Sequence, residues 1–144
     1  MCPIIADAQM KVTRLASAQA SFRQTKESLA FSQADVQYGD FKFVAPDSIL
    51  WRYNSNNVVR MPSQMLALIK LTIEGDESAL ESVFLSSWQG KTLSLIPRNK
   101  QMKRFFSSIL IRFANSGVAE QVVLTEPNGD TTKIDFLNMK YTLL

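Results

Sequence analysis

The sequence predicts an α+β fold built on antiparallel strands, and three observations predict it. Gly39 to Tyr53, reading GDFKFVAPDSILWRY, holds two runs of period two about a turn. Residues 63–73 are apolar at helical spacing. From Phe84 on, strand and turn signals alternate, and Pro127-Asn128-Gly129-Asp130 is a strong hairpin turn.

Taken in order, the elements begin with Met10, Val12, Leu15 and Ala16, extending to Ala20. They mix with Lys11, Arg14 and Gln19 and predict an amphipathic helix over residues 4–18. Ser21 to Ser28 is polar with Phe22 as its apolar anchor, which predicts an edge-like or strongly curved strand. Leu29 to Ala34 is a loop, and Asp35 to Val44 the next strand. In the hairpin that follows, Phe41 and Phe43 share one face against Lys42. Ile49, Trp51 and Tyr53 share a face of the second arm against Leu50 and Arg52. Ala45-Pro46-Asp47-Ser48 supplies turn chemistry, because proline fixes φ and Asp and Ser bond their own backbone.

Asn54-Ser55-Asn56-Asn57 is a polar loop, and Val58 to Met61 is too short to place. A helix then starts near Met61 or Ser63, with Pro62 in its first turn. Met65, Leu66, Leu68, Ile69, Leu71 and Ile73 make it apolar nearly all round, so it is buried or covers something greasy. Glu74-Gly75-Asp76 breaks it. Asp76 caps a second helix, Glu77 to Val83, with Leu80 and Phe84 facing inward. Strands follow around Trp88, through Leu93 and Leu95 to Pro97, from Phe106 to Phe113, from Val118 to Glu126, and from Thr131 to Tyr141. A short helical turn between Arg98 and Arg104 fits the second connection. Ile134, Phe136 and Asn138 are expected on one face of the last strand.

At 144 residues the chain reads as a single domain, 1–144, with 46% hydrophobic and 20% charged residues. A net charge of +3 does not itself point to nucleic acid or a membrane surface. There is no histidine, which removes the commonest general base and zinc ligand. Cys2 is the one cysteine, so no internal disulfide or cysteine cluster forms. The carboxylates are scattered and no phosphate-binding loop is visible. Catalysis is therefore hard to build from these residues. Arg98, Lys100, Lys103 and Arg104 beside Phe105 and Phe106 read first as a solvated loop. A nucleic-acid patch and a docking site for an acidic partner are the other readings. Abundant apolar side chains on a sheet face fit either a closed core or a lined cavity.

Several stretches together resemble the periplasmic outer-membrane lipoprotein carriers, the LolA-type proteins. They are Phe22 and Gln24; Gly39, Asp40 and Pro46; Trp51; Leu95, Ile96 and Pro97; and Glu126, Gly129, Asp130, Thr132, Ile134 and Phe136. The match runs in order over about residues 10–140. The resemblance implies a curved antiparallel β-sheet, a half-open barrel, covered on its concave face by short α-helices. It implies a periplasmic monomer that binds lipoprotein acyl chains or a related envelope lipid. The cargo would come from an inner-membrane exporter and go to an outer-membrane acceptor, with no nucleic acid and no cofactor. The expected cavity lining is Phe41, Phe43, Ile49, Trp51, Leu66, Ile69, Ile73, Leu93, Leu95, Ile109, Ile111, Leu124, Ile134 and Phe136. Two departures stand out: Ala45 replaces the family arginine that tethers the lid, and Asn54–Asn57 replaces a further hairpin. An acceptor anchored through Cys2, an envelope sensor or scaffold, and an enzyme on the same scaffold are the alternative readings.

Overall fold

A computed structural model describes residues 11–30, 33–46, 48–55 and 63–144. Eight strands form one antiparallel sheet: β1 (Leu15–Glu27), β2 (Asp35–Val44), β3 (Ser48–Tyr53), β4 (Phe84–Gln89), β5 (Thr92–Pro97), β6 (Ser108–Phe113), β7 (Ala119–Thr125) and β8 (Thr131–Leu143). Helices α1 (Ser63–Glu74) and α2 (Glu77–Val83) fall between β3 and β4, and the single turn α3 (Lys100–Lys103) between β5 and β6. The spatial order is β3-β2-β1-β8-β7-β6-β5-β4, so the sheet is curved but unclosed, with β3 and β4 at its edges. This is the α+β, half-open arrangement expected from the sequence.

The helix expected over residues 4–18 is a correction. Leu15 to Ala18 belong to β1, Lys11 to Arg14 have no regular structure, and residues 4–10 lie outside the described residues. Spacing of apolar residues at three and four misled because the alanines favour a helix locally and tertiary pairing overrides that preference. Pairing decides the matter: Ala18 lies opposite Phe43 and Ala20 opposite Phe41, small residues beside large ones. Nor is β1 edge-like, since it is hydrogen-bonded to β2 on one side and β8 on the other. Several of its polar side chains have partners on other strands: Ser17 with Thr142, Arg23 with Asp135 at 3.2 Å, and Gln24 with Tyr53.

Other elements fall where the pattern put them. The strand Asp35–Val44 and the helix Glu77–Val83 have the expected bounds. The Asp76 side chain accepts a hydrogen bond from the Ala79 N–H at 3.1 Å, which caps α2. The strand expected from Phe106 begins at Ser108, because α3 and a turn occupy the preceding residues. Asn138 does not continue the face of Ile134 and Phe136. The β1–β8 register slips between Gln19 and Ser21, and Asn138 sits exposed with φ 54°. Cys2, Asp47, Asn56, Asn57, Val58 to Met61 and Pro62 lie outside the described residues.

Candidate functional site

In-register neighbours project from the same face of a sheet, and this carries one apolar face across all eight strands. Trp51 pairs with Phe41, Phe22 with Phe136, Ile134 with Val122, Val122 with Ile111, Ile111 with Leu93, and Leu93 with Trp88. One layer along, Leu124 pairs with Ile109 and Ile109 with Leu95. Above this face lies α1, which buries Leu68, Ile69, Thr72 and Ile73. The Thr72 hydroxyl donates to the Leu68 carbonyl at 3.0 Å, so its one polar atom there is satisfied within the helix.

Of the expected lining residues, Phe41, Phe43, Ile69, Ile73, Leu93, Leu95, Ile109, Ile111, Leu124, Ile134 and Phe136 are buried in one core cluster. Ile49 and Trp51 are half-buried and pack against it. Leu66 is half-buried outside that cluster; Met65, on the neighbouring helix position, packs against the core instead. The helices and the sheet thus seal this face from solvent. Clefts of about 200 and 340 Å³ open instead around Gln19, Lys42 and Lys140. A third, of about 520 Å³, lies among Lys26, Ser28, Gln33, Ala34, Asp35 and Asp130. None of these three is lined by α1 or α2.

The β3 end of the face is aromatic. Trp51 stacks on Phe22 with ring centroids 4.1 Å apart and on Phe41 at 5.7 Å. Tyr53 meets Phe22 edge-on at 5.5 Å, and Phe136 meets Phe41 at 5.4 Å. Two polar groups are embedded here. The Tyr53 hydroxyl donates to Gln24 Oε1 at 2.7 Å. The Trp51 indole Nε1–H is buried and short of hydrogen-bond geometry with any protein acceptor. Burial pushes the Tyr53 phenol above its ordinary 10.0. Phe22 and Gln24 carried a sequence signal as an anchor and a motif residue; Tyr53 shared the strand alternation. The buried donor on Trp51 had none.

The helix pair is tied to the sheet at one corner. Arg14, just before β1, meets Glu74 at 3.1 Å and Asp76 at 3.8 Å. Among the described residues these are the ion pairs that reach the helices; three others join strands and Lys26 of β1 meets Glu126, just past β7. Gly75, between the two carboxylates, has φ 78°, and an added Cβ would fall on the Thr13 carbonyl. Thr13 in turn donates its N–H to Gly117 at 3.0 Å.

Among the described residues no group of His, Cys, Asp or Glu could hold a metal ion, and no helix is long and apolar enough to cross a membrane. No protein-family model matches the chain, and no curated protein matches it significantly. Solved structures share its course at low identity. A candidate outer membrane lipoprotein-sorting protein domain from Vibrio parahaemolyticus is 8% identical, with a TM-score of 0.44 over 88% of this chain and 85% of that one. A DUF1329 family protein from Desulfovibrio piger is 9% identical, with a TM-score of 0.42 over 88% of this chain and 86% of that one. A LolA superfamily protein from Nitrosomonas europaea is 8% identical, with a TM-score of 0.35 over 93% and 90%. At these identities and scores the likenesses decide nothing about what the chain binds.

Proposed function

We propose that the protein is a non-catalytic carrier that holds acyl chains of a lipoprotein or related envelope lipid on the apolar face of its sheet. The carrying observation is that face itself: continuous from Trp51 to Trp88 on an unclosed sheet, and sealed by two short helices, of which α1 is apolar on most sides. An acyl chain takes the place of α1 against the sheet, and the helix moves aside to admit it. A chain that buries on the order of 300 Å² gains roughly 7 kcal/mol by burial alone, enough to hold it and still release it. The expected lining residues stand as this binding surface, with Met65 beside Leu66 on the helix side. In this reading cargo moves through the periplasm from an inner-membrane exporter to an outer-membrane acceptor.

The test is native mass spectrometry of protein purified from cells, together with titration of a fluorescent acylated probe. Co-purified acylated mass and saturable probe binding are expected, lost in Ile49→Glu and Met65→Glu, both at half-buried positions, with circular dichroism confirming that each variant is folded. Ile69 is fully buried, so Ile69→Glu reports on folding rather than on binding. A folded wild-type protein with neither co-purified lipid nor saturable probe binding overturns the reading.

A further inference from the structure

Charge is distributed unevenly along this chain. Between Glu81 and Glu120 there is no acidic residue, while Lys91, Arg98, Lys100, Lys103, Arg104 and Arg112 supply six positive charges. The whole chain carries +3, so the remainder carries −3. The acid-free stretch spans β4, β5, α3 and β6, which together form one end of the sheet. Arg112 is neutralised by Glu120 at 2.9 Å. The Arg98 Nε–H is spent on the backbone carbonyls of Glu81 and Phe84, each at 3.2 Å. Lys100, Lys103 and Arg104 are exposed and form no ion pair among the described residues.

The same end of the sheet exposes apolar side chains on its outer face. Leu85 and Ile96 are direct cross-strand partners, 54% and 47% exposed. Leu110, 41% exposed, lies opposite Ser94, the residue two before Ile96 on the same face, so it reaches Ile96 on the diagonal. Ile96 is followed within four residues by α3, and α3 leads to Phe105, which is 40% exposed. Exposed aliphatic and aromatic side chains beside unpaired lysine and arginine have the chemistry of a surface that settles on anionic lipid.

We propose that the outer face of β4–β5–β6 together with α3 docks on an anionic phospholipid bilayer. Lys100, Lys103 and Arg104 meet the headgroup phosphates, and Leu85, Ile96, Leu110 and Phe105 enter the interfacial zone. The aliphatic character favours a bilayer over nucleic acid, whose unstacked bases call for aromatic platforms. A bilayer also needs no shape match, which suits a patch spread over four elements. Leu85, Ile96 and Leu110 alternate with the core residues of their strands and so project from the opposite face, independently of what the concave face holds.

Co-sedimentation with vesicles tests it. Wild-type protein is expected to bind vesicles of phosphatidylcholine mixed with phosphatidylglycerol, not vesicles of phosphatidylcholine alone, and to be released by added salt. Lys103→Glu combined with Arg104→Glu is expected to lower binding by at least about tenfold. Leu85→Ser combined with Ile96→Ser, both at exposed positions, is expected to lower it as well. Both double variants keep saturable binding of the acylated probe, which separates this surface from the concave face. Failure of the wild type to sediment with anionic vesicles, equal binding by either double variant, or binding to single-stranded oligonucleotide in place of vesicles overturns the proposal.

Discussion

Trp51 and Phe22 stack with ring planes 17° apart, and the space for that stack comes from Gly39. Gly39 sits opposite Phe22 on β2. A Cβ there would fall on the Arg52 carbonyl oxygen and 2.5 Å from Phe22 Cζ. Gly39→Ala is therefore expected to destabilise the protein by about 3 kcal/mol through overpacking. Urea unfolding of the variant checks the magnitude. Loss of Trp51 fluorescence burial in the folded variant would show that the stack, rather than the strand, gives way.

Arg14 ties α1 to the sheet through Glu74, which is only 7% exposed. The Arg14 side chain is 45% exposed, so the pair contributes about 1 kcal/mol after screening. Arg14→Ala is expected to lose that amount. Hydrogen exchange is the sharper readout: amides in the last turn of α1 should exchange faster, while those of β7 and β8 stay unchanged. Uniform acceleration across the sheet would count against a local tether.

Tyr53 makes stability depend on pH in a defined direction. Its phenol is raised above 10.0 in the folded protein, so the folded state holds the proton where the unfolded chain has released it. The contribution is fully present below the unfolded value and is lost as pH rises through 10.0 toward the folded one. Thermal unfolding on either side of 10.0 should show a decline that is smaller in Tyr53→Phe. An identical decline in both proteins would place the titration elsewhere.

Asp76 caps α2 through the Ala79 N–H. Asp76→Ala is expected to cost about 1 kcal/mol, and Asp76→Asn a few tenths, since the amide oxygen still accepts. Equal losses would assign the effect to the Arg14 contact at 3.8 Å rather than to the cap.

The parts of the fold legible in the sequence were those where one period dominates. β2 and β3 alternate cleanly, and their inner residues Phe41, Phe43, Ile49 and Trp51 pack on the core side. The second helix was fixed by Asp76 and Gly75. β1 was legible only in part. Leu15, Ala18 and Ala20 carry little strand preference, and it is pairing with both β2 and β8 that fixes them. Leu66 and Ile69 looked alike in sequence, yet Ile69 is fully buried and Leu66 lies outside the core, because the helix orientation depends on contacts and not on composition. The aromatic end showed the same limit. Alternation placed Trp51 and Tyr53 on one side, but only the fold brings Gln24 to the Tyr53 hydroxyl.

In a closed barrel, strand number and stagger set the bore. Here β3 and β4 never meet, so no such equation binds the eight strands. The sheet can flatten or tighten by small changes of twist spread over seven ladders, none of which has to break. Such a trough has an elastic width, set by the flexing of its rims and not by its floor.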